Sequence, residues 1–367
     1  MQEQQGLRTE LKVPWMLSIA WITVVLIAPI PCMADESGLK TNVAVDIVGS
    51  GASRRSEKVP TKLQVREAEL SFYAPIDHVF DGILGLAAHQ EAGVAHFEIH
   101  EASISSSKLL PSSRLRFGQF FLGIGRLNST HRHDWPFVSA PRVHAEFFGA
   151  EGVSDTGFEY ATAFPEWAAL DVSVGIGNGW TFGHAHNEGK KPKRPTHYAR
   201  LASFFGLPSD GGLQIAANYL ARTDSEGMRT VLVGTDAVMK WREGRTIPFL
   251  IQSEVWWREI QSAAGEKSKS FGLYIYPQAN VMGPLDFGVL YDEYRMLNLK
   301  DATGMAIKKS EHSLAPTLSI KNSEFSTFRA NYTWQWMDEG KKSFRVSNSF
   351  FEIQSIFTLG AHPAHEF

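Results

Sequence analysis

The chain has 367 residues, 43% of them hydrophobic and 12% aromatic, and its 36 Lys and Arg against 39 Asp and Glu leave a net charge of −3. That balance excludes the basic surface that nucleic-acid binding requires. A slightly negative mean hydropathy and one cysteine exclude a bundle of transmembrane helices and a disulfide framework.

The chain opens with Arg8 and Lys12 ahead of an apolar stretch, 15–30, that ends in Pro29, Pro31 and the small residue Ala34 before Asp35. This reads as a secretory signal peptide over residues 1–34, with residues 35–367 as the mature domain. A spanning helix needs about 20 apolar residues, and Pro29 interrupts this run. Glu3 and Glu10 dilute the basic lead. Cys32 falls inside the segment, and Pro29-Ile30-Pro31 before it fits a lipoprotein signal poorly, so the mature chain is expected to carry no thiol.

From Asn42 onward the sequence becomes a series of ten-residue alternating segments separated by polar, Gly/Pro-rich breaks. The clearest is 213–222, where Leu213, Ile215, Ala217, Tyr219 and Ala221 share one face and Gln214, Ala216, Asn218 and Arg222 the other. Segment 328–337 repeats it, with Phe328, Ala330, Tyr332, Trp334 and Trp336 opposite Arg329, Asn331, Thr333 and Gln335. Such alternation suits strands with lipid on one side and water on the other. The expected strands are 42–51, 63–74, 80–90, 95–105, 114–124, 156–164, 168–179, 197–206, 213–222, 230–241, 248–260, 270–280, 285–296, 312–322, 327–337 and 349–360. The fold class is therefore all-β, a transmembrane antiparallel barrel of about 16 strands.

Short connections at 207–211, 242–246 and 281–284 suit a periplasmic side, and long ones at 126–155, 180–196 and 298–310 suit the exterior. The alternation leaves one domain, without a separate plug. Trp167, Trp180, Trp241, Trp256, Trp257, Trp334 and Trp336 fall at or near strand ends, as an interfacial girdle requires, and Trp256 is the one most readily turned inward.

The longest connection, the third exterior loop at 126–155, holds Arg126, His131, Arg132, His133, Arg142 and His144 among Trp135, Pro136, Phe137, Phe147 and Phe148. So apolar a loop is better folded into the barrel, aromatics on the wall and cations toward the passage. On this plan of signal peptide, strand count, long third loop and terminal Phe367, the chain resembles the 16-stranded bacterial outer-membrane porins, and more loosely the phosphate-selective porin O/P family. The resemblance implies a Gram-negative outer-membrane location, passive diffusion of small hydrophilic solutes, and a homotrimer. It also implies a constriction, to which position assigns Arg126, Arg132 and Arg142 beside the wall residues Arg114 and Arg116. Fixed cations there would prefer anions, unless Asp134, Glu146 and Glu151 on the same loop neutralise them. Lys190, Lys191, Lys193 and Arg194 form a basic cluster suited to anions at the mouth, to lipopolysaccharide phosphates, or simply to water. Phe367 resembles the terminal aromatic read by the barrel assembly machinery, although the alternation stops at Gly360 and Pro363 follows.

Histidine is the feature that a plain channel does not need. His96, Glu98 and His100 share a strand face, with Phe97 and Ile99 opposite, and could ligate zinc, but alternate residues lie about 7 Å apart on a flat strand. They need a bulge or a loop ligand to share an ion. His131, His133 and His144, on a loop, converge more easily. No serine sits in a recognisable catalytic setting, and His133-Asp134 are adjacent residues that rarely make a working dyad, so no enzymatic activity is expected. Two alternatives to a diffusion channel stay open: a channel specific for metal ions or their complexes, using these histidines, and a structural or adhesive barrel with a closed lumen.

Overall fold

A computed structural model describes residues 38–52, 62–91, 94–149, 151–164, 169–180, 182, 191–244, 246–300, 307, 309–339 and 345–360. The expected signal peptide, Cys32, Trp167, His184, His186, Lys190, His362, His365 and Phe367 lie outside them.

Sixteen strands are present. They are β1 (Lys40–Ala52), β2 (Lys62–Pro75), β3 (Asp81–Glu91), β4 (Val94–Ser106), β5 (Ser113–Phe121), β6 (Ser154–Phe164), β7 (Leu170–Gly177) and β8 (Arg194–Leu207). There follow β9 (Gly211–Thr223), β10 (Arg229–Glu243), β11 (Thr246–Gln261), β12 (Lys267–Met282), β13 (Leu285–Met296), β14 (Lys309–Ser323), β15 (Ser326–Glu339) and β16 (Arg345–Gly360). Each pairs antiparallel with its sequence neighbours, and β1 pairs with β16 from Asn42↔Gly360 to Ala52↔Phe350, so the barrel is closed. Closure removes the unpaired edges that an open sheet would present.

Alternation positions the side chains as the sequence pattern requires. On β9, Ile215 and Tyr219 are exposed on the outside while Ala216, Asn218 and Leu220 are buried inside. On β15, Phe328 and Trp334 face out, and Arg329, Asn331 and Thr333 face in. Trp256 points into the lumen, 1% exposed.

Three local departures from regular strands shape the lumen. Strand β5 ends at Phe121 rather than at 124: Leu122 and Ile124 continue the apolar alternation but pack in the luminal core, and the Leu122 amide turns to the carbonyl of Val153 (3.0 Å). The loop then forms a short helix, α1 (Arg142–Phe148). Finally, β2 and β4 each carry a bulge. Asp46 faces Glu67 but Ile47 faces Val65, leaving Arg66 extra, and Gly85 faces Glu101 but Leu86 faces Ile99, leaving His100 extra. A bulge turns two successive side chains to one side. Arg66 and Glu67 are accordingly both buried, and His100 is buried beside Glu101.

Candidate functional site

The segment between β5 and β6 lies inside the barrel, tied to strands around its circumference. Pro136 O accepts from the Tyr276 hydroxyl on β12 (3.1 Å), and Ser139 donates to Glu352 on β16 (2.7 Å). The amides of Gly125 and Leu127 donate to Asn218 on β9 (2.9 Å) and Glu254 on β11 (2.8 Å). Val138 O accepts from Arg66 on β2 (2.5 Å); Arg66 also donates to Asp46 on β1 (2.9 Å), which in turn accepts from Gln354 on β16 (3.1 Å). These bonds satisfy loop backbone that would otherwise be buried without partners.

Apolar packing accompanies them. Phe137 meets Tyr274 and Tyr276 edge-on at 5.9 and 5.3 Å, and Phe148 meets Trp256 at 4.8 Å. Trp135, Phe137 and Val143 are at most 1% exposed. These contacts make a protein core inside the barrel. A cavity of about 580 Å³ runs between the loop and β13–β16, lined by Ser139, Arg142, Asp292, Glu311, Thr317 and Asn331 among others.

The five arginines singled out in the sequence all meet carboxylates or other charges. Arg114 and Arg116 on β5 converge on Glu159 (3.7 and 2.9 Å), and Arg116 also faces Glu101 at 3.8 Å. Arg132 sits 3.6 Å from Glu151, and burial beside Arg66 pushes it down to about 10. Arg142 opens α1, pairs with Glu146 one turn on (2.8 Å), and reaches Glu311 on β14 (3.0 Å). Arg126 lies deep, with Arg200 repelling it and Asp236 and Glu254 attracting it; burial holds it below its ordinary value.

The loop histidines divide into two environments. His131 and His133 stack at 5.5 Å and face Glu67 and Glu69 on β2 and His100 on β4, whereas His144 is buried between Trp135 (4.9 Å) and Phe148 (5.4 Å). The trio His131, His133 and His144 is thus not brought together. Nor do His96, Glu98 and His100 form a set: His96 stacks on His89 at 5.7 Å, while Glu98 bonds His100 at 3.3 Å. What the structure assembles instead are three overlapping sets, each with ligand atoms within 4.8 Å of one another: Glu69, His100 and His131; Glu67, Glu69 and His133; and His89, Glu98, His100 and Glu151. Glu69 accepts from His131 at 2.9 Å and lies 3.6 Å from His100, and Glu67 is 3.9 Å from His100. Burial would lower His131, but the Glu69 bond and charge raise it to about 9. His144 has only burial and the Arg132 charge acting on it, and falls to about 3.

Strand β3 makes this meeting feasible. Its inward positions opposite Ser71 and Glu69 are Gly85 and Ala87, so β2 and β4 side chains reach each other across a low floor. Glu67 and Glu69 were missed in the sequence. Their signal was an acidic pair at strand period, but nothing local linked it to histidines 31 and more residues away.

No family model matches the chain. It is 26% identical over 336 aligned residues to an uncharacterized protein of Aquifex aeolicus (strain VF5), covering 82% of this chain and 69% of that one. OmpT of Vibrio cholerae in its trimer form superposes with a TM-score of 0.60 at 10% identity, covering 89% of this chain and 100% of that one. An anion-selective porin from Comamonas acidovorans gives 0.60 at 10%, with the same coverages. The outer membrane channel DcaP of Acinetobacter baumannii gives 0.59 at 12%, covering 88% and 96%. The chain therefore has the fold of 16-stranded outer-membrane porins.

Proposed function

We propose that this protein is a porin-type channel of the outer membrane, passing small hydrophilic solutes through the cavity beside the inward loop and performing no enzymatic reaction. The observation that carries this reading is the placement of the loop. It builds a packed core inside the barrel yet leaves a polar-sided space against β13–β16. Outward Phe, Leu and Ile give the barrel a lipid-facing surface, Trp257 and Trp334 suit its interfaces, and the exposed Lys191, Lys193 and Arg194 suit lipopolysaccharide phosphates, anions at the mouth, or water alone. A homotrimer fits the same fold, as in the trimer form of OmpT of Vibrio cholerae.

Selectivity follows from the charges on that space. The loop arginines support an anion preference less than their number suggests, since Arg142 faces Glu146 and Glu311, with Asp292 on the same wall. We infer a weak preference of either sign, tuned by Arg142. The test is recording in planar bilayers. Deleting 130–140 should raise unitary conductance severalfold, because the narrowest segment dominates resistance. Arg142→Ala should move the reversal potential in a salt gradient toward cations, and less so at 1 M than at 0.1 M salt, as the screening length falls from about 10 Å to about 3 Å. Unchanged conductance after the deletion would remove the cavity as the path. Silence of the intact protein in bilayers would favour the closed structural barrel.

A channel for metal ions is the second reading, favoured by the Glu69–His100–His131 cluster. Block of solute current by micromolar zinc would support it.

A further inference from the structure

We propose that Glu69, His100 and His131, with Glu67 as fourth donor, form a binding site for a divalent cation of the zinc class that fastens the inward loop to the barrel wall. The inference does not depend on conduction: it concerns what holds the loop, whatever passes beside it.

Donor chemistry comes first. Two imidazoles and two carboxylates are a set that borderline cations such as zinc accept. Ligand bonds of about 2.0–2.2 Å in a tetrahedron place donors roughly 3.3–3.6 Å apart. The atoms facing each other here are separated by 2.9 Å (His131 Nδ1 to Glu69 Oε2), 3.6 Å (His100 Nδ1 to the same oxygen) and 3.9 Å (His100 Nδ1 to Glu67 Oε1). Each of these three separations lies within about 0.4 Å of that range. His133 stands by with Glu67 and Glu69 in an overlapping set.

The surroundings point the same way. Metal-bound histidines usually engage a carboxylate with the other ring nitrogen, which fixes the tautomer. His100 does so: Nδ1 faces the cluster while Nε2 lies 3.3 Å from Glu98 Oε1. Glu67 supplies an independent sign. Its side chain is 3% exposed, and Oε1 accepts no hydrogen bond from the described residues although it is aimed at His100. A buried carboxylate oxygen without a donor is costly, and a cation would satisfy it.

The flat-strand spacing that argues against a one-strand site does not apply, because the donors come from β2, β4 and the loop. Regular alternation on β2 turns Glu67 and Glu69 inward, the β4 bulge turns His100 inward, Gly85 and Ala87 keep the ground between them low, and His131 closes the site from above. Only the docked loop completes it. Metal at a hundred times its dissociation constant would shift the loop toward docking about a hundredfold, provided that the undocked state binds none.

The experiment uses the full folded chain in detergent, without a polyhistidine tag and stripped by chelator. Cobalt(II) titration should produce the visible absorption of tetrahedral coordination at one ion per chain, displaced by zinc. His131→Ala and His100→Ala should each weaken zinc binding at least tenfold, Glu98→Gln less, and His312→Ala on distant β14 within twofold. Zinc should also slow proteolysis of 126–149 in the unaltered protein and not in His131→Ala. Heat-modifiable migration confirms that each variant has folded, and His131, on the loop surface, serves as the variant where a strand substitution prevents folding. Absence of saturable binding in the micromolar range, or binding indifferent to both histidine substitutions, would overturn the proposal. Conductance is read separately, so a failed metal site leaves the channel reading intact.

Discussion

At the scale of single residues, His144 has the clearest pH consequence. It is enclosed by Trp135 and Phe148, with Arg132 as the charge acting on it, and is held neutral down to about 3 from an ordinary 6.5. A base lowered in the folded state contributes its full stability above the unfolded value, and loses it as pH falls from there toward the folded value. Loop docking should therefore weaken between pH 6.5 and 3. Protection of the loop amides, taken relative to the intrinsic exchange rate at pH 7 and at pH 4.5, should fall more in the native protein than in His144→Leu, which keeps the volume and removes the proton site. An equal fall in both would place the acid-sensitive group elsewhere.

Glycine positions belong to the next scale, because they determine how strands approach. Gly118 on β5 has φ +125°, and a Cβ there would stand 2.2 Å from the Ala102 carbonyl on β4. It pairs with Gly157 on β6, which pairs with Gly177 on β7, so three strands cross at backbone distance just below the point where the loop departs inward. Gly118→Val should cost about 1–3 kcal/mol or more, since it adds strain to a clash. The heat-modification midpoint measures this, with Gly206→Val as the control, because a Cβ at Gly206 meets nothing within 4 Å.

Much at this scale was legible. Lipid demands an apolar residue at every second position, so the strands announce themselves, and β13 (Leu285–Met296) coincides with its expected span. Where the inner side is also apolar the signal fails: Leu122 and Ile124 look like strand continuation but lie in the luminal core. A seven-residue helix is too short to establish its period. Bulges left no trace either, since Arg66-Glu67 and His100-Glu101 are ordinary polar pairs until the partner strand supplies the register. For that reason the sequence pointed to histidines on one element, while the cluster is made from three.

For the molecule as a whole, closure between β1 and β16 and the parity of long and short connections make an orientation prediction. Antibody tags inserted at 180–196 or 298–310 should be reached on intact cells, and a tag at 207–211 should not. The reverse pattern would invert the barrel. The folded protein should migrate as a heat-modifiable band recovered with the outer membrane, as a closed hydrogen-bonded cylinder resists detergent at ambient temperature.

The bonds running from Val138 through Arg66 and Asp46 to Gln354 have a consequence in time. They place the loop against the seam where the first and last strands meet, and Ser139 to Glu352 joins residues 213 apart in the chain. Contacts that distant form late, because the intervening chain must be ordered first. A loop this bulky enters a half-finished cylinder far more easily than a sealed one. Fifteen strands would thus curl around an already occupied interior, the inserted segment serving as the mandrel on which the last strand is registered.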